Sequence, residues 1–222
     1  MIISHKHRFV FVKTTKTAGT SIEIALTRIC GDQDIISRLH PDDEKARQEQ
    51  TGRGEQNSRI ILANGGHGQV VSHAPHSLAR KYLGQEYPQY FSFAFERNPF
   101  DRVVSAWSYI RKERRKRGED VSAFTFENMV LNEKHLEGLH RRGWGLYTRD
   151  DRLAVNQIYL YEELQDSLAD ILSRLGIEQK IALPQTKVTE RKRDYREYYS
   201  ARTRAIVEKH FRQELALFGY SF

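Results

Sequence analysis

The sequence predicts an α/β fold in three layers, α/β/α, with a central, mainly parallel sheet covered by helices on both faces. Three observations carry that expectation. Short apolar runs at residues 9–12, 90–95 and 157–161 read as strands; each run is followed by a segment with helical periodicity; and in the first two pairs a short polar turn stands between strand and helix. The chain has 222 residues, 39% of them hydrophobic, with no internal repeat and no low-complexity linker. That is enough apolar material for one sizeable core, so residues 1–222 are expected to form a single domain.

Taken in order, "FVFV" at residues 9–12 is continuous rather than alternating, as a strand buried on both faces should be. Residues 20–29 then place Ile22, Ala25, Leu26 and Ile29 on one helical stripe. Residues 31–69 are polar apart from an apolar island at 60–63, and read as a surface excursion or lid, partly helical. A short helix is expected at 77–83. The run 90–95 is the second strand, and Asn98-Pro99 supplies an N-cap and a first-turn proline for a helix over 99–116. After the third strand, Leu164, Leu168, Ile171, Leu172 and Leu175 share a helix face and Gly176 stops it. A last helix over 200–217 is expected to bury Ile206, Val207, His210, Phe211 and Leu215, with Phe218 just beyond.

Lys and Arg number 36 against 29 Asp and Glu, a net charge of +7 that favours anionic partners without choosing among them. The lone cysteine, Cys30, excludes an internal disulfide and reads as a small buried thiol. No apolar run approaches the ~20 residues that span a bilayer, and the apolar stretch at the N-terminus is too short for a signal peptide. The expectation is a soluble, cytoplasmic protein with no membrane span.

The first turn, "KTTKTAGTS" at residues 13–21, cannot build a core. A helix N-terminus presents unpaired N–H groups and partial positive charge. Here Lys16 adds a mobile charge, Thr17, Thr20 and Ser21 add hydroxyls, and Gly19 permits close approach of the backbone. Two readings are open: an oxyanion cradle, or a solvated turn with a threonine cap. The nucleotide signature GxxxxGK[ST] is absent, since no glycine stands five residues before Gly19 and no lysine follows it. The second turn, "ERNPFDRVVSAW", puts Arg97 directly after a strand, where open α/β sheets bind ligands, and Ser105 one to two turns into the next helix. A guanidinium and a hydroxyl so placed suit one phosphate group; the alternative for Arg97 is an ion pair with Asp101.

Together, "KTAGTS" and "RNPFDRVVSAW" resemble the two cofactor motifs of sulfotransferases, in particular the carbohydrate group that includes heparan sulfate 2-O-sulfotransferase. The segments "YLYEELQDSLADILSRLGI", "LPQTKVTERKRDYREYYS" and "FGYSF" resemble the ending of that group, and residues 31–64 are the weakest match. The resemblance implies a P-loop-like fold and 3′-phosphoadenosine 5′-phosphosulfate (PAPS) as co-substrate. It implies that Lys16, Thr17, Gly19, Thr20 and Ser21 hold the 5′-phosphosulfate and that Arg97 and Ser105 hold the 3′-phosphate. Thr15 stands where the family usually has proline, and Lys187 where it usually has asparagine. The acceptor would be a hydroxyl, of a glycan or glycolipid, with no role for nucleic acid.

Sulfuryl transfer builds negative charge on the leaving phosphate, so Lys16 is also the candidate catalytic cation. The acceptor hydroxyl needs a base. "GGHGQVVSHAPHSL" offers His67, His73 and His76, and in the resembled group a histidine before a short helix is the base, with His73 at the matching place. Capping histidines or a zinc site are the other readings of this segment. The six basic residues within 111–117 are either a solvated helix end or part of a groove for an acidic acceptor, with residues 191–194 a weaker cationic stretch. Trp107 and Tyr109 are expected in the core or its wall, and Trp144 beside an acceptor site. The competing functions are a small-molecule kinase, disfavoured by the missing GK[ST] and the lack of a magnesium carboxylate, and a nucleic-acid binder suggested by charge alone.

Overall fold

Phe9, Val10, Phe11 and Val12 are all buried, and alternate side chains of this strand point to opposite faces of a five-stranded sheet. That two-sided burial explains the unbroken apolar run. In the computed structural model, which describes residues 1–183 and 194–222, the chain forms two compact units: Met1–Glu96 with Gly145–Thr186, and Arg97–Trp144 with Lys187–Phe222. Lys187 and the cationic residues 191–193 lie outside the described residues.

In the first unit the strands run in the order Ile35–Ile36, Ile2–Ser4, Phe9–Val12, Phe91–Glu96, Gln157–Leu160. The last three are parallel, with Val10 opposite Ser92 and Ala94 opposite Ile158, while Ile2–Ser4 pairs antiparallel with both of its neighbours. The sheet is therefore mainly parallel, as expected, with a short antiparallel margin. Phe9, Phe11, Phe93, Phe95 and Tyr159 form one face of the core. The helices Gly19–Thr27 and Leu164–Arg174 cover it through Ile22, Leu26, Leu168 and Ile171. Phe11 and Phe93 stack with centroids 5.6 Å apart. Residues 31–69 contribute the edge strand Ile35–Ile36, the helix Pro41–Thr51 and a hairpin of Arg59–Ile61 with His67–Gln69. The Pro41–Thr51 helix is polar on most of its surface but buries Arg47 completely. The helix expected at 77–83 is His76–Leu83. Cys30 is buried, and burial pushes its thiol up out of the reactive range.

The second unit is helical. Pro99–Lys116 begins where the sequence places it, because the Asn98 side chain accepts from the Phe100 N–H at 3.0 Å and Pro99 needs no backbone partner. Its core gathers Phe100, Val103, Val104, Met129, Leu136 and Phe211. Arg102 is fully buried there, donating through Nη2 to the Leu139 carbonyl at 2.6 Å and lying 5.3 Å over the Phe211 ring. Trp107 belongs to the wall of this core, and its Nε1 donates to the Phe124 carbonyl at 3.0 Å.

The final helix departs from expectation: it is two helices, Ala201–His210 and Arg212–Phe218, broken at Phe211. Phe211 is the fully buried anchor of this corner, and the turn there brings Glu214 inside to meet His140 Nδ1 at 3.0 Å. His210, expected inside, is only half-buried and pairs with Glu133. Among the described residues, no helix is long and apolar enough to cross a membrane.

Candidate functional site

The loop after Phe9–Val12 is built by two threonines and two lysines with different jobs. Thr14 is buried, and its hydroxyl donates to the Phe95 carbonyl at 2.5 Å, tying the loop to the end of the neighbouring strand. The Thr17 hydroxyl is also buried, 2.8 Å from Thr14 Oγ1 and 3.3 Å from the Thr14 carbonyl. It is a strut inside the loop. Lys16 and Ala18 both sit in the left-handed region, at φ 68° and 58°. Backbone that alternates in this way turns successive N–H groups toward one concavity, an anion-binding arrangement. Such residues each cost of order 1–3 kcal/mol, an expense found at ligand clamps.

The helix starts at Gly19, with Ile22 N–H donating to the Ala18 carbonyl at 3.1 Å. Gly19 is obligatory for a packing reason: a Cβ there would lie 2.7 Å from Lys13 Cγ and 3.2 Å from the Thr14 carbonyl oxygen. Lys16 and Thr20 are half-buried at the mouth, and Ser21 is buried behind them.

Lys13, the other lysine, points away from the mouth. Its side chain is buried, passes beneath Gly19, and places Nζ 2.9 Å from Glu23 Oε2. Glu23 is wholly buried, and its Oε1 accepts from Ser37 Oγ at 2.7 Å with Arg47 Nη1 3.7 Å away. Burial works to raise this carboxyl, but the Lys13 ammonium and hydrogen bonds from Lys13 and Ser37 hold it below the ordinary value. Sequence reasoning passed over this pair. The available signal was a glutamate set between Ile22 and Ile24 on a helix whose other residues are nearly all buried.

Of the three histidines, His73 joins the loop: its Nδ1 lies 2.9 Å from the Lys13 carbonyl oxygen. A carbonyl only accepts, so Nδ1 carries the proton and Nε2 of the neutral ring holds the lone pair. Burial lowers the His73 pKa to about 4, partly offset by that hydrogen bond. His76 opens the His76–Leu83 helix, is 3% exposed, and turns Nδ1 to the Leu146 carbonyl at 3.2 Å. Its Nε2 is buried and has no hydrogen-bond partner. His67 is exposed on the hairpin. Among the described residues, no three His, Cys, Asp or Glu side chains gather as a metal-binding group.

Arg97 and Ser105 belong to the second unit, and both are buried. Arg97 Nε donates to Asp101 Oδ2 at 2.9 Å, so the ion pair read from the sequence exists. Asn98 locks the same corner by donating to the Ser221 carbonyl at 3.1 Å. In the basic run, Arg114 and Arg117 reach Glu119 at 3.7 and 2.6 Å, Lys116 reaches Glu113 at 3.1 Å, and Arg111 lies 5.5 Å over the Trp107 ring. Much of that charge is matched locally. Trp144 is buried, stacked at 6.4 Å on His140.

The arrangement is a strand–loop–helix anion cradle with a neutral histidine tied to it. The model of the sulfotransferase family matches residues 1–221. Among solved structures, that of mouse sulfotransferase SULT7A1 complexed with PAP is similar, with a TM-score of 0.50 and 15% identity over 96% of this chain and 85% of that one. A sulfotransferase from Alicyclobacillus acidocaldarius is similar at a TM-score of 0.43 and 16% identity, over 97% of this chain and 96% of that one. No curated protein sequence matches. At these identities the first likeness speaks for the fold, while the family match covers nearly the whole chain and sets the kinase alternative aside. The chain belongs to the sulfotransferase family, and it is an enzyme that moves a sulfuryl group from PAPS to a hydroxyl-bearing acceptor.

Proposed function

We propose that the acceptor is a carbohydrate hydroxyl, in a glycan or glycolipid, with His73 as general base and Lys16 as the cation at the leaving phosphate. The observation that carries this reading is the bond from His73 Nδ1 to the Lys13 carbonyl, which ties the base to the anion-binding loop itself. The residues present fit the donor. Left-handed backbone at Lys16 and Ala18, a helix N-terminus and a glycine with no room for a Cβ form a cradle suited to an oxyanion. When bound, PAPS supplies the sulfuryl group on a good leaving group. Lys16, Gly19, Thr20 and Ser21 would hold its 5′-phosphosulfate, with Thr17 contributing through backbone rather than hydroxyl; Arg97 and Ser105 would hold the 3′-phosphate.

In the transfer, His73 Nε2 accepts the acceptor's proton as its oxygen bonds to sulfur and the sulfur–oxygen bond to the phosphate breaks. Lys16 opposes the negative charge that collects on that phosphate; loss of such a fixed donor costs on the order of 10²–10³ in rate. The carbohydrate class rests on the pairing of a histidine-bearing "SHAPHSL" segment with the two cofactor motifs, and on the net charge of +7, which suits acidic glycans.

Calorimetric titration of 3′-phosphoadenosine 5′-phosphate, with ATP and adenosine 5′-phosphate as controls, tests the donor site. Tight binding that requires the 3′-phosphate and is strongly weakened in Arg97→Ala is the expected outcome; preference for ATP would overturn it. Sulfate transfer to an oligosaccharide panel, measured against phenols and steroid alcohols, tests the acceptor class, and turnover of only the latter would refute the carbohydrate reading.

A further inference from the structure

The two lysines of the cradle differ in what they can do. Lys16 stands at the mouth, whereas Lys13 runs beneath Gly19 and ends on a carboxylate with no exposure at all. Burying an ammonium and a carboxylate costs several kcal/mol for each ion, and an apolar pair of similar volume usually serves a fold as well or better. A role in the chemistry is therefore worth seeking for this pair, and one contact supplies it. The Lys13 peptide carbonyl is the partner of His73 Nδ1.

The pair is held from several directions. Glu23 lies one turn into the Gly19–Thr27 helix, so the ion pair staples the end of the strand to the helix that forms the cradle. Ser37 Oγ donates to Glu23, and Arg47 donates to the Ser37 carbonyl at 3.0 Å and to Glu44. The Lys13 stem is confined on its other side by Gly19, where even a methyl group would not fit. The ion pair and the confined stem together restrict movement of the Lys13 backbone, whose carbonyl meets His73.

We propose that Lys13 and Glu23 are positioning residues for sulfuryl transfer: their buried ion pair fixes the Lys13 carbonyl, which holds His73 in the tautomer that offers Nε2 to the acceptor hydroxyl. This rests on His73 being the base. Neither residue touches the reacting atoms. Each acts through the ring of His73, as the outer partners that orient metal-bound histidines do, where loss typically costs 10–100-fold.

The test pairs nitrogen NMR of the His73 ring with kinetics on the full chain. In the wild type the ring is expected to be Nδ1-protonated at pH 7. Glu23→Gln and Lys13→Met should give a mixture of tautomers and lower kcat about 10- to 100-fold, with KM for PAPS changed less than about threefold. Lys13→Arg, which preserves the charge, should recover most of kcat. An Nε2-protonated ring in the wild type would overturn the proposal without any variant being made. Variants that lose kcat while the ring keeps a pure Nδ1-protonated form would also overturn it, as would a KM for PAPS that rises in step with the loss of kcat. Failure of the base assignment shows separately: His73→Ala would retain turnover, whatever the tautomer.

Discussion

Arg97 Nε donates to Asp101 Oδ2 at 2.9 Å, four residues on and inside the helix that Asn98 caps. The guanidinium is thus held at a fixed angle by a carboxylate with which the proposed 3′-phosphate would have to share it. A splint of this kind lowers the entropy lost on binding, because the fork is oriented before the ligand arrives. Asp101→Ala should therefore weaken binding of 3′-phosphoadenosine 5′-phosphate about 3- to 10-fold. Arg97→Ala and Arg97→Lys should both weaken it by roughly 10–100-fold, since charge-assisted bonds are worth about 1.5–3 kcal/mol and lysine lacks the fork. Calorimetry decides; tighter binding by Asp101→Ala would show that the carboxylate competes with the ligand instead of aligning its partner.

His73 gives a pH prediction with a definite sign. Its folded pKa is lowered to about 4 against 6.5 for an exposed histidine, so between these values the unfolded chain binds more protons. The stability this group contributes is present above about pH 6.5 and is lost as pH falls toward 4, and His73→Asn should flatten that part of the melting-temperature profile. As a base, the free enzyme's His73 is competent down to about pH 5, so kcat/KM should stay level from pH 8 to that point. Bound donor brings negative charge close to the ring, favours the imidazolium, and should move the acid limb of kcat to higher pH. At pH 7, His73→Ala should cost 10²–10⁴ in kcat while leaving donor affinity within about threefold.

The elements that the sequence announced were those with local chemistry of their own. Asn98-Pro99 marked the start of Pro99–Lys116, and "FSFAFE" is apolar enough to be read as a buried strand without its neighbours. Ile2–Ser4 and Ile35–Ile36 were not legible, because strands of three and two residues carry no period and are made by pairing alone. The break at Phe211 carries neither glycine nor proline to announce it; Phe211 is fully buried there, with Arg102 5.3 Å over its ring. In the site, residue types suggested a cradle, with a solvated turn as the other reading. The turn pointed to Lys16, but the burial of Lys13 against Glu23 was not legible, since the two lysines differ only in where their ends find a partner. Thr17 raises the same difficulty, because a hydroxyl in a polar turn serves a ligand or the turn equally well on paper.

Gly19→Ala tests the packing beneath the cradle. The added methyl would meet Lys13 Cγ at 2.7 Å, and that stem cannot swing aside without dragging Nζ from Glu23. Overpacking of this sort typically costs 1–3 kcal/mol. For a chain of this length that corresponds to a fall in Tm of about 2–12 °C. Donor affinity should fall as well, because the Thr14 carbonyl, 3.2 Å from the new atom, belongs to the loop. In Gly19→Ala/Lys13→Ala, where the obstructing stem is gone, much of the lost Tm should return relative to Lys13→Ala alone. Strictly additive losses in the double variant would show that the crowding is not with Lys13.

Thr17→Val separates a strut from a ligand contact. Valine keeps the shape of threonine, but removes the hydroxyl that lies 2.8 Å from Thr14 Oγ1 and leaves a buried group short of a partner. The cost should be about 1–3 kcal/mol, visible as a lower Tm in a chain of this length. Thr17→Ser keeps the hydroxyl and should stay within about 1 kcal/mol of wild type. Because the loop loosens but keeps its N–H groups, donor affinity in Thr17→Val should fall by less than in Lys16→Ala. Thr20→Ala should behave the other way round, losing affinity with little change in Tm, since its side chain is half-buried at the mouth. A Thr17→Val enzyme with an unchanged Tm and no donor binding would reverse the assignment, making that hydroxyl a direct ligand of the donor and leaving Thr14 to brace the loop through Phe95 alone.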